Sequence, residues 1–468
     1  MNAPVFDGMR DWLAHLAASD RLAVIRDGAA LEFEVAAIAK RLDGVKAAFF
    51  PHPGGHAIPV VSGFIARRAW IAEALGVAEK DLLEHFRHAV ENPLPWHEVD
   101  AAPAQQVVHQ HFDIRTLLPI PRHNEHDSAP YITAGLVIAR NPQTGLQNVS
   151  INRIQVNAPD RMAILVLPRH LHAYHRAAEE AGEPLPVAVV IGASPACLLA
   201  SQAVLPLDFD ELTVAGALEG RPLPVVKCMT SDVRVPASSE IVIEGRLLPG
   251  VRETEGPFGE FPKYYSPQEQ REVIAIDRIT HRRDPIYHTI VPAEMEHLLL
   301  GAIPREATLL NHLKRSFPNV TDVHLAVGGV CRYHLYVQMK KGREGEPKNV
   351  IMGAFGGHYD IKHVVVVDED VDVHDPVQVE WAVATRFQPD RDLVVVKGAL
   401  GSILDPSTDH GISAKWGLDA TRPVKYEGLS FTKVRIPGEE SVDLGRVVAE
   451  GVGPFSDYLE AGDASKET

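Results

Sequence analysis

Cysteine is scarce in this chain, and long apolar runs are missing. The 468 residues include three cysteines, Cys197, Cys228 and Cys331, and no CxxC pair. A sparse, odd set provides no disulfide framework and fits the reducing cytoplasm. No stretch reaches about 18 apolar residues, and Met1–Ile25 lacks the basic start and apolar run of a signal peptide. We therefore expect a cytoplasmic protein that does not cross a membrane.

Positive charge is also in deficit. The chain has 46 Lys and Arg residues against 62 Asp and Glu residues, which gives a net charge of −16. Nucleic acids and anionic membranes attract basic surfaces, so this balance argues against both as partners. It leaves room for a local basic pocket that binds a small anion.

Several common catalytic motifs are missing. The 23 histidines form small groups such as His170, His172 and His175, but none has HExxH or zinc-finger spacing. Gly353–Gly357 and Gly398–Ser402 lack the spacing of Walker and Rossmann loops, and no GxSxG elbow occurs. The sequence therefore carries no zinc-peptidase, P-loop or serine-hydrolase signature.

The apolar pattern predicts a mixed α/β (α+β) fold in several parts. Residues 1–104 alternate helices and strands, which predicts an N-terminal α/β unit with helices at Gly8–Ala18 and Leu31–Leu42. Residues 105–303 are richer in short strands separated by turn residues, which favours a barrel or a sandwich. The main strands predicted there are Gly135–Arg140, Asn148–Val156, Ala188–Ile191, Val225–Cys228, Glu240–Leu247 and Val273–Ile279.

A helical segment, Pro304–Phe317, follows the strand-rich region and ends just before Pro318. Its place between blocks of different composition predicts a linker helix over residues 304–317. Residues 318–468 contain a near-continuous apolar strand from His363, then a helix and another strand, which is typical of a buried parallel sheet. We predict a C-terminal α/β domain with a polar, loose tail from Gly453.

The segment ETEGPFGEF, Glu253–Phe261, places Glu255 and Glu260 on either side of Gly-Pro-Phe-Gly. Glycine and proline disfavour a helix here, so a tight loop is expected. Such a loop can hold both carboxylates beside one ligand, with one acid neutral as a proton donor and the other charged. The alternative is a surface turn with two solvated acids, and this segment alone leaves both open.

Four separated motifs occur in one order along the chain. They are NVSINR at Asn148–Arg153, PRH at Pro168–His170, DEL at Asp210–Leu212 and EGPFGE at Glu255–Glu260. Together with SAKWGLDAT near the C-terminus, they resemble the UbiD-type decarboxylases, which use prenylated flavin mononucleotide (prenylated FMN). The resemblance covers most of the chain. It implies a central split β-barrel that binds the flavin and a C-terminal α/β domain that forms homo-oligomers, either dimers or hexamers.

The resemblance implies a set of cofactor-binding residues. Asn148, His170 and Glu211 match three ligands of a divalent metal ion, Mn²⁺ or Mg²⁺, that holds the cofactor phosphate, and mixed oxygen and nitrogen ligands suit such an ion. Ser201 and Ala203 fall where the family binds K⁺ through backbone oxygens. Lys415 falls in a segment where the family places a lysine near the phosphate. The positions that match flavin-lining residues are Asn148, Val149, Ser150, Ile151, Asn152, Arg153 and Arg169.

Arg153, Glu255 and Glu260 match the catalytic Glu–Arg–Glu network of the family. Removing carboxylate from an aromatic carbon leaves charge that no ordinary side chain accepts, so a cofactor must act as the electron sink. The resemblance implies that Glu260 protonates the substrate carbon after carbon dioxide leaves. Arg153 can keep Glu255 ionised and leave Glu260 neutral. With this resemblance, the functional interpretation of the loop replaces the surface turn.

The segment Val291–Leu310 is similar to the furan-2,5-dicarboxylate decarboxylase branch. There a histidine and an arginine eight residues apart help to hold the acid, and the matching residues are His297 and Arg305. In the predicted helix Arg305 lies in the first turn, where the dipole disfavours a cation, so an anionic partner such as a second carboxylate is expected. The predicted reaction is reversible non-oxidative decarboxylation of furan-2,5-dicarboxylate to 2-furoate.

Other interpretations stay open. Within the same family, pyrrole-2-carboxylate, hydroxybenzoate and phenylacrylate are alternative substrates, and Arg305 can instead be exposed with His297 packed in the core. A metal-dependent hydrolase would need an open metal site with its own base, and a non-catalytic flavin-binding protein would lack an intact Glu–Arg–Glu set. The sequence favours a carboxy-lyase whose partners are a small aromatic or heteroaromatic acid and a flavin prenyltransferase that supplies the cofactor.

Overall fold

The computed structural model describes residues 6–448 and residue 455. The chain divides into two compact units, residues 1–421 and residues 422–468. The described part of the second unit holds a 3-10 turn at Glu439–Ser441 and a one-turn helix at Leu444–Val447. Apart from residue 455, the tail from Gly453 that was expected to be loose lies outside the described residues.

Helices and strands alternate in the N-terminal part, as predicted. The elements are α1 Met9–Ala18, β1 Leu22–Val24, α2 Glu34–Leu42, β2 Ala47–Phe50, β3 Val60–Ser62, α3 Arg68–Ala74, α4 Leu82–Glu91 and β4 His97–Glu98. Helix α1 buries Trp12 and Leu16, which lie one turn apart on the same face. Helix α2 starts at Glu34 rather than at Leu31, because Phe33 has a left-handed φ of 67° that no α-helix contains.

A nine-stranded sheet forms the central part. The elements of this part of the chain, some of which belong to smaller sheets, are β5 Val107–His109, α5 Ile114–Leu117, β6 Tyr131–Ile132, β7 Leu136–Arg140, β8 Gln147–Ile151, β9 Ile154–Ala158, β10 Arg161–Ile164, α6 His170–Glu180, β11 Leu185–Ile191, α7 Pro195–Ala200, α8 Glu211–Glu219, β12 Pro224–Lys227, β13 Arg234–Pro236, β14 Ile241–Glu255, β15 Phe258–Gly259, β16 Tyr265–Ser266, β17 Glu269–His281 and β18 Tyr287–His288. The strand order is β6-β9-β10-β17-β14-β11-β7-β8, and β5 pairs with β17. Within the described residues β6 and β8 do not pair, so the sheet is split open rather than closed into a barrel.

The single strand predicted over Asn148–Val156 is wrong. The chain forms β8 and β9 instead, separated by Asn152 and Arg153. Strand β8 pairs with β7, whereas β9 pairs with β6 and β10, so the chain changes neighbours at this point. Local propensity does not encode this exchange of partners, because strand pairing depends on residues distant in the sequence. The break leaves Arg153 outside both strands.

The helix predicted over Pro304–Phe317 starts earlier than the sequence indicated. Helix α9 spans Met295–Ser316 and contains Pro304 in its interior. Proline removes one backbone hydrogen bond from a helix. Burial of Leu298, Leu299 and Ile303 on this helix offsets that loss, since each buried aliphatic side chain contributes about 1.5–3 kcal/mol. Arg305 therefore lies in the middle of a helix, and the argument that placed it in the first turn is wrong.

A five-stranded sheet forms the C-terminal part of the first unit. Its elements are β19 Val320–Leu325, β20 His334–Met339, α10 Glu346–Gly357, β21 His363–Asp368, α11 Pro376–Arg386, β22 Leu393–Leu400 and β23 Ile412–Asp419. The order is β19-β20-β21-β23-β22, with a parallel centre and antiparallel edges. All of β21 is buried, as its near-continuous apolar sequence predicts.

One hydrophobic core runs through the three parts of the first unit. The same cluster of buried residues contains Trp12 of α1, Val190 of β11, Ile303 of α9 and Val366 of β21. The four residue ranges 1–104, 105–303, 304–317 and 318–468 remain predictions. Strand β18 follows residue 104 in the chain but pairs with β3, and helix α9 extends across residue 304. The described residues include no helix with the length and apolar composition needed to cross a bilayer.

Glu306 ties α9 to the parts on either side of it. Its fully buried carboxylate pairs with Arg68 of α3 and accepts hydrogen bonds from His324 Nδ1 at 3.0 Å and from the Leu325 backbone N–H at 2.8 Å. Burial alone would raise the pKa of Glu306, but Arg68 and His324 outweigh it and lower the pKa to about 2. This carboxylate therefore stays charged in the folded protein.

We expect Glu306→Gln to destabilise the protein by about 3–5 kcal/mol, because the Arg68 guanidinium would lose its buried counter-charge. The contribution of Glu306 is complete above its ordinary pKa of 4.5 and is lost as the pH falls toward the folded value of about 2. Urea unfolding between pH 7 and pH 3 measures both effects. Glu380→Gln, on the exposed face of α11, is the control, and equal stability of the two variants at pH 7 would contradict this prediction.

Candidate active site

The loop between Glu255 and Glu260 is built into the protein interior. Strand β14 ends at Glu255, and Gly256 then adopts a φ of 86° with Pro267 O only 2.7 Å from where a Cβ would lie. The Gly259 N–H donates to Asp127 Oδ1 at 2.8 Å. Glu255 is fully buried and Glu260 is 9% exposed. The alternative of a surface turn with two solvated acids is therefore wrong.

Arg153 joins the two carboxylates in one buried network. Its Nε and NH2 groups donate to the two carboxylate oxygens of Glu255 at 2.9 and 2.7 Å, and its NH1 group donates to Glu260 Oε1. Tyr131 also donates its hydroxyl to Glu255 Oε1 at 3.1 Å. Burial alone would lower the pKa of Arg153, but the carboxylates of Glu260 and Glu255 outweigh burial and raise it. The guanidinium is thus permanently charged between two acids.

Asn148, His170 and Glu211 come together from three different elements. Asn148 lies on β8, His170 opens α6 and Glu211 opens α8. Asn148 Nδ2 donates to Glu211 Oε1 at 2.8 Å and lies 3.5 Å from His170 Nδ1, which is 3.9 Å from Glu211 Oε1. The Val149 N–H donates to Glu211 Oε2 at 2.6 Å. The sequence therefore selected three residues that do share one site.

The donor set of this group fits a divalent cation. Burial raises the pKa of Glu211, and no Lys or Arg in the described part of the chain lies within ion-pair distance of its carboxylate. A half-turn of the Asn148 amide would direct its oxygen, rather than its nitrogen, toward Glu211 and His170. One carboxylate, one amide oxygen and one imidazole nitrogen suit Mn²⁺ or Mg²⁺ with phosphate or water completing the shell.

The other residues expected to line a flavin lie around the β8–β9 connection. Ser150 donates its hydroxyl to Asn152 Oδ1 at 2.8 Å, and Asn152 Nδ2 donates to Leu165 O at 2.9 Å. The Val149 side chain is buried and that of Ile151 is half-buried. Arg169 is exposed and precedes α6 as its N-terminal cap residue.

Ser201, one of the two residues expected to bind K⁺ through backbone oxygens, lies at the end of α7. Its carbonyl oxygen accepts a hydrogen bond from the Gln202 side-chain amide at 3.2 Å.

Lys415 binds protein backbone in this structure. Its buried ammonium group donates to Tyr359 O and Ile361 O, each at 2.7 Å. Burial lowers the pKa of Lys415, while the nearby Asp360 raises it. The two hydrogen bonds hold the backbone on either side of Asp360. A role for Lys415 near a phosphate therefore stays a prediction, while its contact with the loop after α10 is observed.

His297 and Arg305 both lie on α9, eight residues apart. The Ala293 N–H donates to His297 Nδ1 at 3.1 Å, and burial together with Arg332 lowers the pKa of His297 to about 3. The neutral ring therefore carries its proton on Nε2. Arg305 donates Nε–H to His358 Nε2 at 3.1 Å and NH1 to Gly301 O at 3.2 Å. Its side chain is 12% exposed, so the exposed alternative for Arg305 is wrong.

Sequence reasoning missed Arg332 and the loop residues His358 and Asp360. Arg332 donates NH1 to Leu298 O at 3.1 Å and to Cys331 O at 2.9 Å, and its guanidinium lies 5.4 Å from the ring centre of Phe261, the residue after Glu260. Asp360 Oδ2 is 3.9 Å from Arg305 NH2. No motif marks these positions. The only available signal was one arginine in the apolar stretch before β20.

Known proteins are similar to this chain along most of its length. Three models of one family match consecutive segments: the 3-octaprenyl-4-hydroxybenzoate carboxy-lyase N-terminal domain at residues 13–90, its Rift-related domain at residues 97–295 and its C-terminal domain at residues 298–420. Anhydromevalonate phosphate decarboxylase from Methanothermobacter thermautotrophicus is 43% identical over 368 residues, 78% of this chain and 86% of that protein.

Two solved structures share both fold and sequence with this chain. The UbiD-class enzyme HmfF from Pelotomaculum thermopropionicum in complex with FMN has a TM-score of 0.93 and 48% identity, covering 94% of this chain and 100% of that one. An evolved dimeric form of the same enzyme in complex with prFMN has a TM-score of 0.89 and 46% identity over 95% and 100% of the two chains. The hydrolase and non-catalytic alternatives are therefore wrong. The chain belongs to the UbiD family of decarboxylases.

Proposed function

We propose that this protein catalyses the reversible, non-oxidative decarboxylation of an aromatic or heteroaromatic acid with prenylated FMN, and that it converts furan-2,5-dicarboxylate to 2-furoate. One observation carries the proposal. Arg153 joins Glu255 and Glu260 in a buried network, and Phe261, adjacent to Glu260, packs under the Arg332 guanidinium beside α9. An acid–base group and an anion-binding group therefore flank the same region.

The cofactor site is assigned to the residues around β8. When bound, prenylated FMN supplies an acceptor for the electron pair left by departing carbon dioxide. Asn148, His170 and Glu211 would hold Mn²⁺ or Mg²⁺ and, through it, the phosphate. Residues 148–153 with Arg169 would line the flavin, and the backbone of Ser201 and Ala203 would bind K⁺. Support comes from the FMN and prFMN complexes of the related HmfF structures.

The hydrogen bonds support different roles for the two glutamates. Glu255 accepts two hydrogen bonds from Arg153 and one from Tyr131, so both of its carboxylate oxygens are held by donors. Glu260 accepts one hydrogen bond from Arg153 NH1 and a longer one, of 3.3 Å, from the Phe261 N–H. We assign the transferable proton to Glu260. In the forward direction it protonates the ring carbon that has lost carbon dioxide, and in reverse it accepts that proton.

Two side chains of α9 are assigned to the second carboxylate of the substrate. His297 offers its Nε2–H, and Arg305 is charged and held by His358 and Gly301. The furan diacid is preferred because Val291–Leu310 resembles the furan-2,5-dicarboxylate branch. Anhydromevalonate phosphate is the second candidate, since a relative that is 43% identical carries that name and a phosphate also supplies a remote anion.

Substrate loss and carbon dioxide release test the proposal directly. The protein would be produced together with a flavin prenyltransferase and supplied with furan-2,5-dicarboxylate, anhydromevalonate phosphate, pyrrole-2-carboxylate, 4-hydroxybenzoate and cinnamate. Conversion of the furan diacid to 2-furoate supports the proposed substrate. Turnover of another acid in its place keeps the decarboxylase and rejects the furan diacid. The same preparation would be sized in solution, because we propose a homo-oligomer formed through the C-terminal domain.

We expect Glu260→Gln to lower kcat by about 10²- to 10⁴-fold, the usual contribution of a general acid, while the bound flavin is unchanged. Glu269→Gln, which alters an exposed glutamate at the start of β17, is the matched control. Turnover is measured by substrate loss, and flavin content by absorbance. A Glu260→Gln protein with wild-type kcat would reject Glu260 as the proton donor.

Removing His170 tests the metal assignment. His170→Ala takes away one of three protein ligands. Loss of a residue that only supports a ligand lowers metal affinity by roughly 10- to 100-fold, so the affinity for Mn²⁺ should fall by at least that much. Flavin content should fall with it. His172→Ala, two residues later on α6, is the control. Elemental analysis and flavin absorbance of the purified proteins provide the measurement, and full occupancy of both groups in His170→Ala would show that the assignment is wrong.

A further inference from the structure

Two arginine side chains meet at one turn of helix α9. Arg305 belongs to the helix and donates NH1 to Gly301 O at 3.2 Å. Arg332 comes from the loop before β20, and its NH1 group donates to Leu298 O at 3.1 Å, one turn earlier. The two guanidinium groups therefore rest on the same stretch of backbone, although 27 residues separate them in the sequence.

Gly301 makes this arrangement possible. A Cβ at this position would lie 1.6 Å from Arg332 NH2 and 2.3 Å from Arg332 Cζ. Any other residue would therefore displace the guanidinium from the helix surface. Glycine lowers helix stability by about 1 kcal/mol relative to alanine, so helix formation does not explain its presence in the interior of α9.

The charged side chains around Gly301 carry more positive than negative charge. Arg332 is 7% exposed and forms no ion pair with a carboxylate in residues 6–448. Arg332 and Arg169, both positive, act on Arg305 together with Asp360, whose carboxylate is 3.9 Å away. Burial and Arg332 lower the pKa of Arg305 to about 9. Burying a charge without a partner is costly, so a ligand that brings negative charge would be stabilised here.

Unused hydrogen-bond donors accompany the excess charge. Arg332 Nε and NH2 donate to no acceptor in the described part of the chain, and Arg305 NH2 approaches only Asp360 at a distance beyond hydrogen bonding. A carboxylate or phosphate accepts several such donors at once. Phe261 places Arg332 next to the Glu260 loop, so an anion bound here would belong to the molecule whose carbon Glu260 protonates.

We infer that Gly301 and Arg332 form, with Arg305, a subsite that selects acids bearing a second anionic group, either a carboxylate or a phosphate monoester. Arg332 contacts this group directly, and Gly301 positions Arg332 by leaving its guanidinium room against α9. The inference rests on the proposed function, because it assigns the far end of the substrate of that reaction.

Binding can be measured without turnover, so that the two proposals fail separately. FMN-loaded protein would be titrated in a calorimeter with furan-2,5-dicarboxylate, with anhydromevalonate phosphate and with the monoanion 2-furoate. Arg332→Gln and Gly301→Ala should each weaken the preferred dianion by about 10- to 100-fold and change 2-furoate by about twofold or less. Weaker binding of furan-2,5-dicarboxylate identifies a carboxylate as the group that the subsite binds, and weaker binding of anhydromevalonate phosphate identifies a phosphate. Failure of the proposed function would appear instead as absent carbon dioxide release in the turnover assay.

Stability measurements and two further variants, the double variant Gly301→Ala/Arg332→Gln and Arg332→Lys, separate an effect on binding from a general structural effect. The helix preference for alanine opposes the cost of the Cβ contact with Arg332 in Gly301→Ala, and urea unfolding of this variant shows directly whether a loss of affinity comes from unfolding. The double variant should bind the dianion no more weakly than either single variant, because both changes remove the same guanidinium. Arg332→Lys should recover part of the affinity. Unchanged dianion affinity in both single variants, or wild-type protein that binds 2-furoate as tightly as both dianions, overturns the inference.

Discussion

The buried guanidinium of Arg153 is the charge around which the site is organised. It lies at the point where the chain passes from β8 to β9, and it holds Glu255 at the end of β14 and Glu260 beyond the following loop. A single positive charge in the interior requires negative partners, and the two glutamates provide them from one short segment. Strand β8, which leads into this connection, carries Asn148, so Arg153 of the acid–base network and one of the three candidate metal ligands lie five residues apart on the same piece of backbone.

Helix α9 connects this network with the opposite side of the site. Its first half carries His297, Gly301 and Arg305, and the following residue, Glu306, is held by Arg68 of the N-terminal part and by the β19 backbone. Because Glu306 and Arg305 are adjacent, they point in different directions from the helix, one into a closed ion-pair network and the other toward His358 and Asp360. The structural connection and the anion-binding group thus share one helix.

The sequence was most informative where chemistry is carried by contiguous motifs. Asn148, His170 and Glu211 were selected from three short motifs, and the structure brings their side chains within 3.9 Å of one another. Arg153, Glu255 and Glu260 were likewise predicted as one network and are one. The same reasoning failed at Asn152 and Arg153, where a break replaced the predicted strand, and at Pro304, which lies inside a helix rather than at its start. In both places the outcome depended on distant packing partners.

The sequence by itself determined the alternation of elements and the net negative charge, because both follow from local composition and spacing. Its resemblance to a known family indicated the acid–base and metal-type residues. Tertiary structure alone decided that Arg332 joins Arg305 across Gly301, and that Lys415 binds the backbone of the loop after α10. These contacts join residues far apart in the chain. Their formation depends on which buried surfaces the completed core brings together, and no local pattern of residues encodes that.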